Sequence, residues 1–204
     1  MKDLDIEILV NKDNLLPSDY IPGKLVILDN NKNNFHNYND PNLKPMIRED
    51  IIEDLFEMFK AAKEEGYSLI VDSGYRSYEY QLEVLKANIE KYGEDKAYKY
   101  VAIQGASEHQ TGLCFDVAYM YDGVYSDEIN EEDEEINWLL NNSYEYGFIL
   151  RYPKGKEKIT GYSFEPWHFR YVGKELAKVL FENNETLEEY YIRKKGMKRK
   201  RSKY

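Results

Sequence analysis

Two short stretches constrain the fold most, because their side chains make chemical sense only if the chain brings them together. The first is Ser107-Glu108-His109-Gln110-Thr111-Gly112-Leu113-Cys114-Phe115-Asp116, and the second is Phe164-Glu165-Pro166-Trp167-His168. They hold two of the three histidines in the chain, one carboxylate seven residues after the first imidazole, and another three residues before the second. Two His and one Asp can form a ligand set for Zn2+, and three protein ligands leave the fourth coordination position open to water. Glu165 is then free to act as a base on that water. On spacing alone, ordinary surface histidines beside acids remain an open alternative.

The surrounding chain reads as α+β, one domain with a central antiparallel sheet, helices packed around it and the metal in a cleft. Residues 1–23 read as an extended arm, 24–29 as a short strand and 30–45 as an Asn-rich loop that contains His36. Ile47, Ile51, Leu55, Phe59 and Ala62 recur at helical spacing, which predicts a helix over 47–65 closed by Gly66. A strand is expected at 68–72, a turn at 73–77, and helices at 78–92 and 94–101. A loop to Thr111 should lead into a strand at 113–119. There Cys114, Asp116 and Ala118 would share one face, with Phe115 and Val117 on the other. The acidic run Glu131–Glu135 should open a helix ending near Tyr146, its charges favoured by the positive end of the helix dipole. Strands at 148–152 and 165–172 should pair across a loop at 153–163. Helices are expected at 174–182 and 186–193, the latter opened by a capping box from Thr186 and Glu189.

Composition narrows the class. The 204 residues carry a net charge of −10, and eight of the 28 Lys/Arg fall at 193–204, leaving 20 bases against 38 acids elsewhere. So acidic a body argues against nucleic acid as substrate. The basic end, residues 193–204, is expected to be either a disordered, solvated tail or a contact for an anionic surface. Cys114 is the single cysteine, so no internal disulfide forms. Its thiol is expected to be a small buried group, with an approach to the metal as the alternative. No stretch is long and apolar enough for a membrane span. No secretory h-region opens the chain. The expected location is the cytoplasm, or the cell wall if a leader has been removed.

The pattern Ser107-x-His109-x-x-Gly112-x-x-x-Asp116, followed by Glu165-x-Trp167-His168, resembles the signature of the VanY-type D-alanyl-D-alanine carboxypeptidases. These belong to a zinc peptidase family that also holds VanX-type dipeptidases, bifunctional VanXY enzymes and L,D-carboxypeptidases. Ser73-Gly74-Tyr75-Arg76-Ser77 with Gln81, the block from Gly147 to Pro153, and Ile159 to Tyr162 resemble further family motifs, over roughly residues 8–182. The resemblance implies a Zn2+ cofactor held by His109, Asp116 and His168, with Glu165 as catalytic base. It implies Arg76 as a substrate-binding and transition-state residue, with Gln81 and Ser107 lining the same pocket. The implied partner is a peptidoglycan stem peptide or precursor, from which the enzyme would release terminal D-alanine. A VanXY-like activity on free D-Ala-D-Ala, an L,D-carboxypeptidase, a non-cutting peptide binder and a purely structural zinc are the rivals. An ion-pair role for Arg76 and a turn-capping role for Ser107 are the bland alternatives.

Overall fold

Alternating apolar residues in two neighbouring strands decide where the core lies. In the computed structural model, which describes residues 5–28 and 45–201 (side chains of the last helix only to 196), strand β4 (Cys114–Tyr121) sends Phe115, Val117 and Tyr119 to one side. β7 (His168–Tyr171) sends Phe169 and Tyr171 to that same side. The Phe115 ring meets Phe59, Phe148 and Phe169 at centroid distances of 5.7, 5.5 and 6.0 Å. Each such fully buried aromatic contributes roughly 2–3 kcal/mol of transfer free energy. Helix α1 (Ile52–Glu64) closes this side with Leu55, Met58, Phe59 and Ala62. A later helix, Glu134–Asn142, adds Ile136, Trp138 and Leu139.

The sheet is antiparallel. β3 (Leu69–Ser73) pairs with β4, β4 with β7, and β7 with β6 (Phe148–Leu150); β5 (Val124–Ser126) pairs with the end of β4. The α+β expectation holds, as does the pairing of the two late strands. Register places Asp116 opposite His168 and Cys114 opposite Arg170. The polar set therefore shares the face turned away from the main core. Helices α2 (Tyr78–Tyr92) and α3 (Glu94–Tyr100) follow β3, and Glu134–Asn142 is α4. α5 (Glu157–Thr160), α6 (Lys174–Asn183) and α7 (Leu187–Arg201) complete the chain. Thr186 and Glu189 form the expected capping box, with N···O distances of 2.9 and 3.3 Å.

Several boundaries differ from expectation. Ile47 lies not in a helix but in strand β2 (Met46–Arg48), paired with β1 (Leu25–Ile27). The backbone of β2 is claimed by tertiary contacts: Tyr75 N–H donates to Met46 O at 2.6 Å and Arg48 N–H to Gly112 O at 3.0 Å. The strand expected at 165–172 begins only at His168, because Glu165–Trp167 form a turn. The expected loop at 153–163 contains α5. α7 continues through the basic run to Arg201, where a disordered tail was one expectation. His36 and most of the 30–45 loop lie outside the described residues, as do 202–204. Among the described residues, no helix is long and apolar enough to cross a membrane.

Candidate metal and catalytic site

His109 is placed by a tight local turn. Residues Glu108–Thr111 form one turn of 3-10 helix, ended by Gly112 in the left-handed region at φ 67°. A Cβ at Gly112 would lie 3.0 Å from Leu25 Cδ2 and 3.3 Å from Arg48 N, so a side chain there would crowd its neighbours and strain the backbone. Across from this turn, Gly74 packs its α-carbon on β2; a Cβ there would stand 2.3 Å from Met46 O. That close approach delivers Gly74 O to 2.6 Å from His109 Nδ1, which must therefore be the protonated nitrogen and donate. Nε2 of His109 is left facing Asp116 Oδ2 at 3.3 Å.

Asp116 and His168 meet through sheet register. His168 Nδ1 lies 2.8 Å from Asp116 Oδ1. The other nitrogen, Nε2, faces Glu108 Oε2 at 3.8 Å, and both atoms are buried without a hydrogen-bond partner. The second oxygen of Glu108, Oε1, accepts from Arg151 Nε at 2.8 Å and from Arg170 Nη1 at 2.6 Å. Glu108 is thus a fixed, fully buried carboxylate behind His168. Burial opposes its charge, but Arg151 and Arg170 outweigh that and hold its pKa far below the ordinary range. Burial likewise opposes the charge on Asp116, yet the two imidazoles keep its carboxyl well below normal. Both histidines are raised despite burial, by Asp116 and Cys114, with Glu108 also acting on His168.

The remaining expected residues line one cleft of about 250 Å³ with these three. Glu165 is 5% exposed, and burial pushes its pKa up to about 8. Arg76 donates to Gln81 Oε1 at 2.9 Å, Asp116 Oδ2 at 3.1 Å and Ser73 Oγ at 3.2 Å. Gln81 is buried and anchored by its Nε2 to Ala102 O at 2.8 Å. Ser107 is buried at the wall and makes no side-chain cap bond, so turn capping does not explain it. Tyr152, Tyr162 and Trp167 supply aromatic walls, and the buried Tyr162 hydroxyl lacks a partner.

The meeting of Glu108, Arg151 and Arg170 escaped sequence reasoning. Glu108, Arg151 and Arg170 were each inside or beside a recognised motif, but nothing local signals that they meet. Cys114 is not merely a small buried group: ligand atoms of His109, Cys114 and His168 all lie within 4.8 Å of one another. Burial would raise the thiol pKa, but the two imidazoles bring it down to about 7. The donor types fit a divalent transition metal, since the two His nitrogens lie beside the Asp116 carboxylate on one side and near the Cys114 thiol on another.

Comparison with known proteins agrees with this geometry. A family model described as VanY, D-alanyl-D-alanine carboxypeptidase, matches residues 44–174. The chain is 45% identical over 183 residues, 90% of its length, to the "putative carboxypeptidase YodJ" of Bacillus subtilis strain 168, and spans about two thirds (66%) of that relative. It superposes on the LdcB LD-carboxypeptidase with a TM-score of 0.78 at 44% identity, covering 90% of this chain and 84% of that one. It also superposes on a mutant of the vancomycin-resistance D,D-pentapeptidase VanY in complex with Zn(II), with a TM-score of 0.75 at 37% identity, covering 91% and 98%. This chain belongs to the VanY family of D-alanyl-D-alanine carboxypeptidases.

Proposed function

We propose that the chain is a zinc-dependent carboxypeptidase that hydrolyses the terminal D-Ala-D-Ala amide of peptidoglycan precursor peptides and releases D-alanine. The observation that carries this reading is the convergence of His109 Nε2, Asp116 and His168 Nδ1 beside a buried Glu165 in one cleft. His109, Asp116 and His168 are the proposed ligands. Gly74 O fixes the far nitrogen of His109, and the Glu108 carboxylate stands 3.8 Å behind the far nitrogen of His168, which leaves the near side of both rings for a metal. Bound there, zinc would supply a Lewis acid and a water of lowered pKa.

The chain's own groups do the rest. Glu165 takes a proton from the attacking water and passes it to the leaving D-alanine nitrogen, as a general base and then acid. Arg76 is held at the cleft by Gln81 and Ser73. A guanidinium so placed can bind the terminal carboxylate and stabilise the oxyanion. Gln81 and Ser107 would complete the substrate wall. A pure binding module needs no buried base beside metal ligands, so Glu165 favours an enzyme. The basic run at 193–204 is proposed as a contact for an anionic surface; two of its members already pair within the protein, Arg193 with Glu185 and Lys194 with Glu7.

A second reading has its own support. The likeness to LdcB, at higher identity than to VanY, favours an L,D-carboxypeptidase acting on tetrapeptide stems. Mass spectrometry of penta-, tetra- and dipeptides incubated with the zinc-loaded protein separates the readings. Loss of one D-alanine from the pentapeptide supports the first, loss from the tetrapeptide alone supports the second, and cleavage of free D-Ala-D-Ala adds a VanXY-like activity. No cleavage of any of the three contradicts both.

A further inference from the structure

We propose that Lys12, in the leading arm, is a positioning residue that holds two segments of the substrate cleft against each other. The inference rests on the carboxypeptidase reading above and gives the arm a part in that reaction. One segment of the cleft lining is Tyr100, Val101 and Ala102, where the chain leaves α3. Another holds Tyr162, just after α5, in the aromatic wall. The Lys12 ammonium bridges the two. It donates to Gly161 O at 2.6 Å, makes a longer contact of 3.5 Å to Tyr98 O, and lies 4.4 Å from the centroid of the Tyr162 ring. A charged donor on a carbonyl and a cation on an aromatic face are both favourable contacts. The lysine stem packs beside Gly161, where a Cβ would stand 3.6 Å from Lys12 Cδ. Ser163 N–H adds a backbone tie to Lys99 O at 3.1 Å between the same two segments.

The arm is built to hold Lys12 in this place. Asn11 Oδ1 accepts from the N–H groups of Asp13 and Asn14 at 3.0 and 3.1 Å, which turns the chain at Lys12. Asn11 Nδ2 donates to Glu188 at 3.0 Å, and so ties the turn to the buried carboxylate that Arg151 also binds. Lys12 itself is exposed and adds nothing to a core. Its contacts are with the cleft lining, not with the proposed metal ligands or Glu165. Loss of the ammonium should therefore leave the fold and the metal in place while freeing Tyr162. A wall that touches substrate alike in the ground and transition states acts on KM rather than kcat.

The test compares the full zinc-loaded chain with two variants. Lys12→Met keeps the length of the side chain without its charge, and Lys12→Arg supplies a guanidinium that can both donate and stack. For the stem peptide that the native chain cleaves, Lys12→Met should raise KM roughly tenfold while kcat stays within about twofold. Zinc affinity and melting temperature should not change, and Lys12→Arg should recover most of the loss. A KM within about twofold of native in Lys12→Met overturns the inference. So does a joint fall in kcat, zinc affinity and melting temperature, which would mark a merely structural lysine, and so does a loss that arginine does not recover. If the native chain cleaves no peptide, the carboxypeptidase reading fails by itself, and calorimetric binding of the D-Ala-D-Ala-ended pentapeptide decides about Lys12. Binding roughly tenfold weaker in Lys12→Met then bears the inference out, and equal binding overturns it. A native chain that neither cleaves nor binds the peptide overturns both.

Discussion

Glu165 is the residue on which the proposed chemistry turns, and it makes two predictions. Glu165→Gln should retain the fold and one zinc per chain while kcat falls by roughly 10²–10⁴-fold, as steady-state assays of the zinc-loaded variant would read. Near-normal turnover would reject the base. The second prediction concerns pH. Burial lifts this carboxyl from its ordinary 4.5 to about 8, so between those values the unfolded chain is ionised where the folded chain is not. Folded-state stability is then fully present below about pH 4.5 and lost as pH rises through 8. The raised histidines add to the same slope. Denaturant melts of chelator-treated protein should show this fall, and Glu165→Gln should flatten it by more than roughly 1 kcal/mol; an unchanged slope would contradict the burial effect. The candidate residues were legible at this scale because each sits in a short stretch of recognisable spacing. Glu108 was not, since its meaning comes from Arg151 and Arg170, 43 and 62 residues away. An approach of the Cys114 thiol to the site was one of two readings of the strand face it shares with Asp116; its distance to the two rings depends on the register of β4 against β7.

Element by element, periodicity located most helices and strands, and tertiary contacts set their ends. The apolar stripe of α1 was plain, yet its first expected turn became β2, because Met46 O and Arg48 N are recruited to dock the two motif loops. A single sequence cannot show that recruitment. The β4–β5 hairpin, by contrast, was there to be found: Asp122-Gly123 sit at φ 50° and 78°, the two positive values that a tight hairpin turn requires. The contact between β2 and the Gly74 loop should be the most sensitive joint. Gly74→Ala would push a methyl into Met46 O and move the carbonyl that orients His109. Thermal melts should show a loss of roughly 1–3 kcal/mol, and metal titration should show weaker binding. Native-like values for both would mean that the loop yields without cost.

At the scale of the molecule, a buried ion network joins the two ends of the chain to the site. Arg151 Nη1 and Nη2 bind Glu188 of α7 at 3.0 and 2.6 Å, Glu188 accepts from Asn11 of the leading arm, and Arg151 also holds Glu108 behind His168. Breaking such a pair leaves a buried charge, so Glu188→Ala should cost about 3 kcal/mol in urea unfolding with little change in slope. A change within about 0.5 kcal/mol would show that water or a neighbour replaces the carboxylate. The same network predicts acid sensitivity. The depressed pKa of Glu108 gives stability that is present above its ordinary 4.5 and is lost as pH falls below it. All of this serves one proposed act, removal of a single residue from a peptide's free carboxyl end. The most direct test measures D-alanine released by the zinc-loaded chain from one stem peptide, offered as the free acid and as the C-terminal amide. A guanidinium that reads the terminal carboxylate predicts release from the free acid and an at least tenfold lower kcat/KM for the amide, the equivalent of about 1.4 kcal/mol or more. Equal hydrolysis of the two peptides would contradict the carboxypeptidase reading and point to an endopeptidase on the same residues.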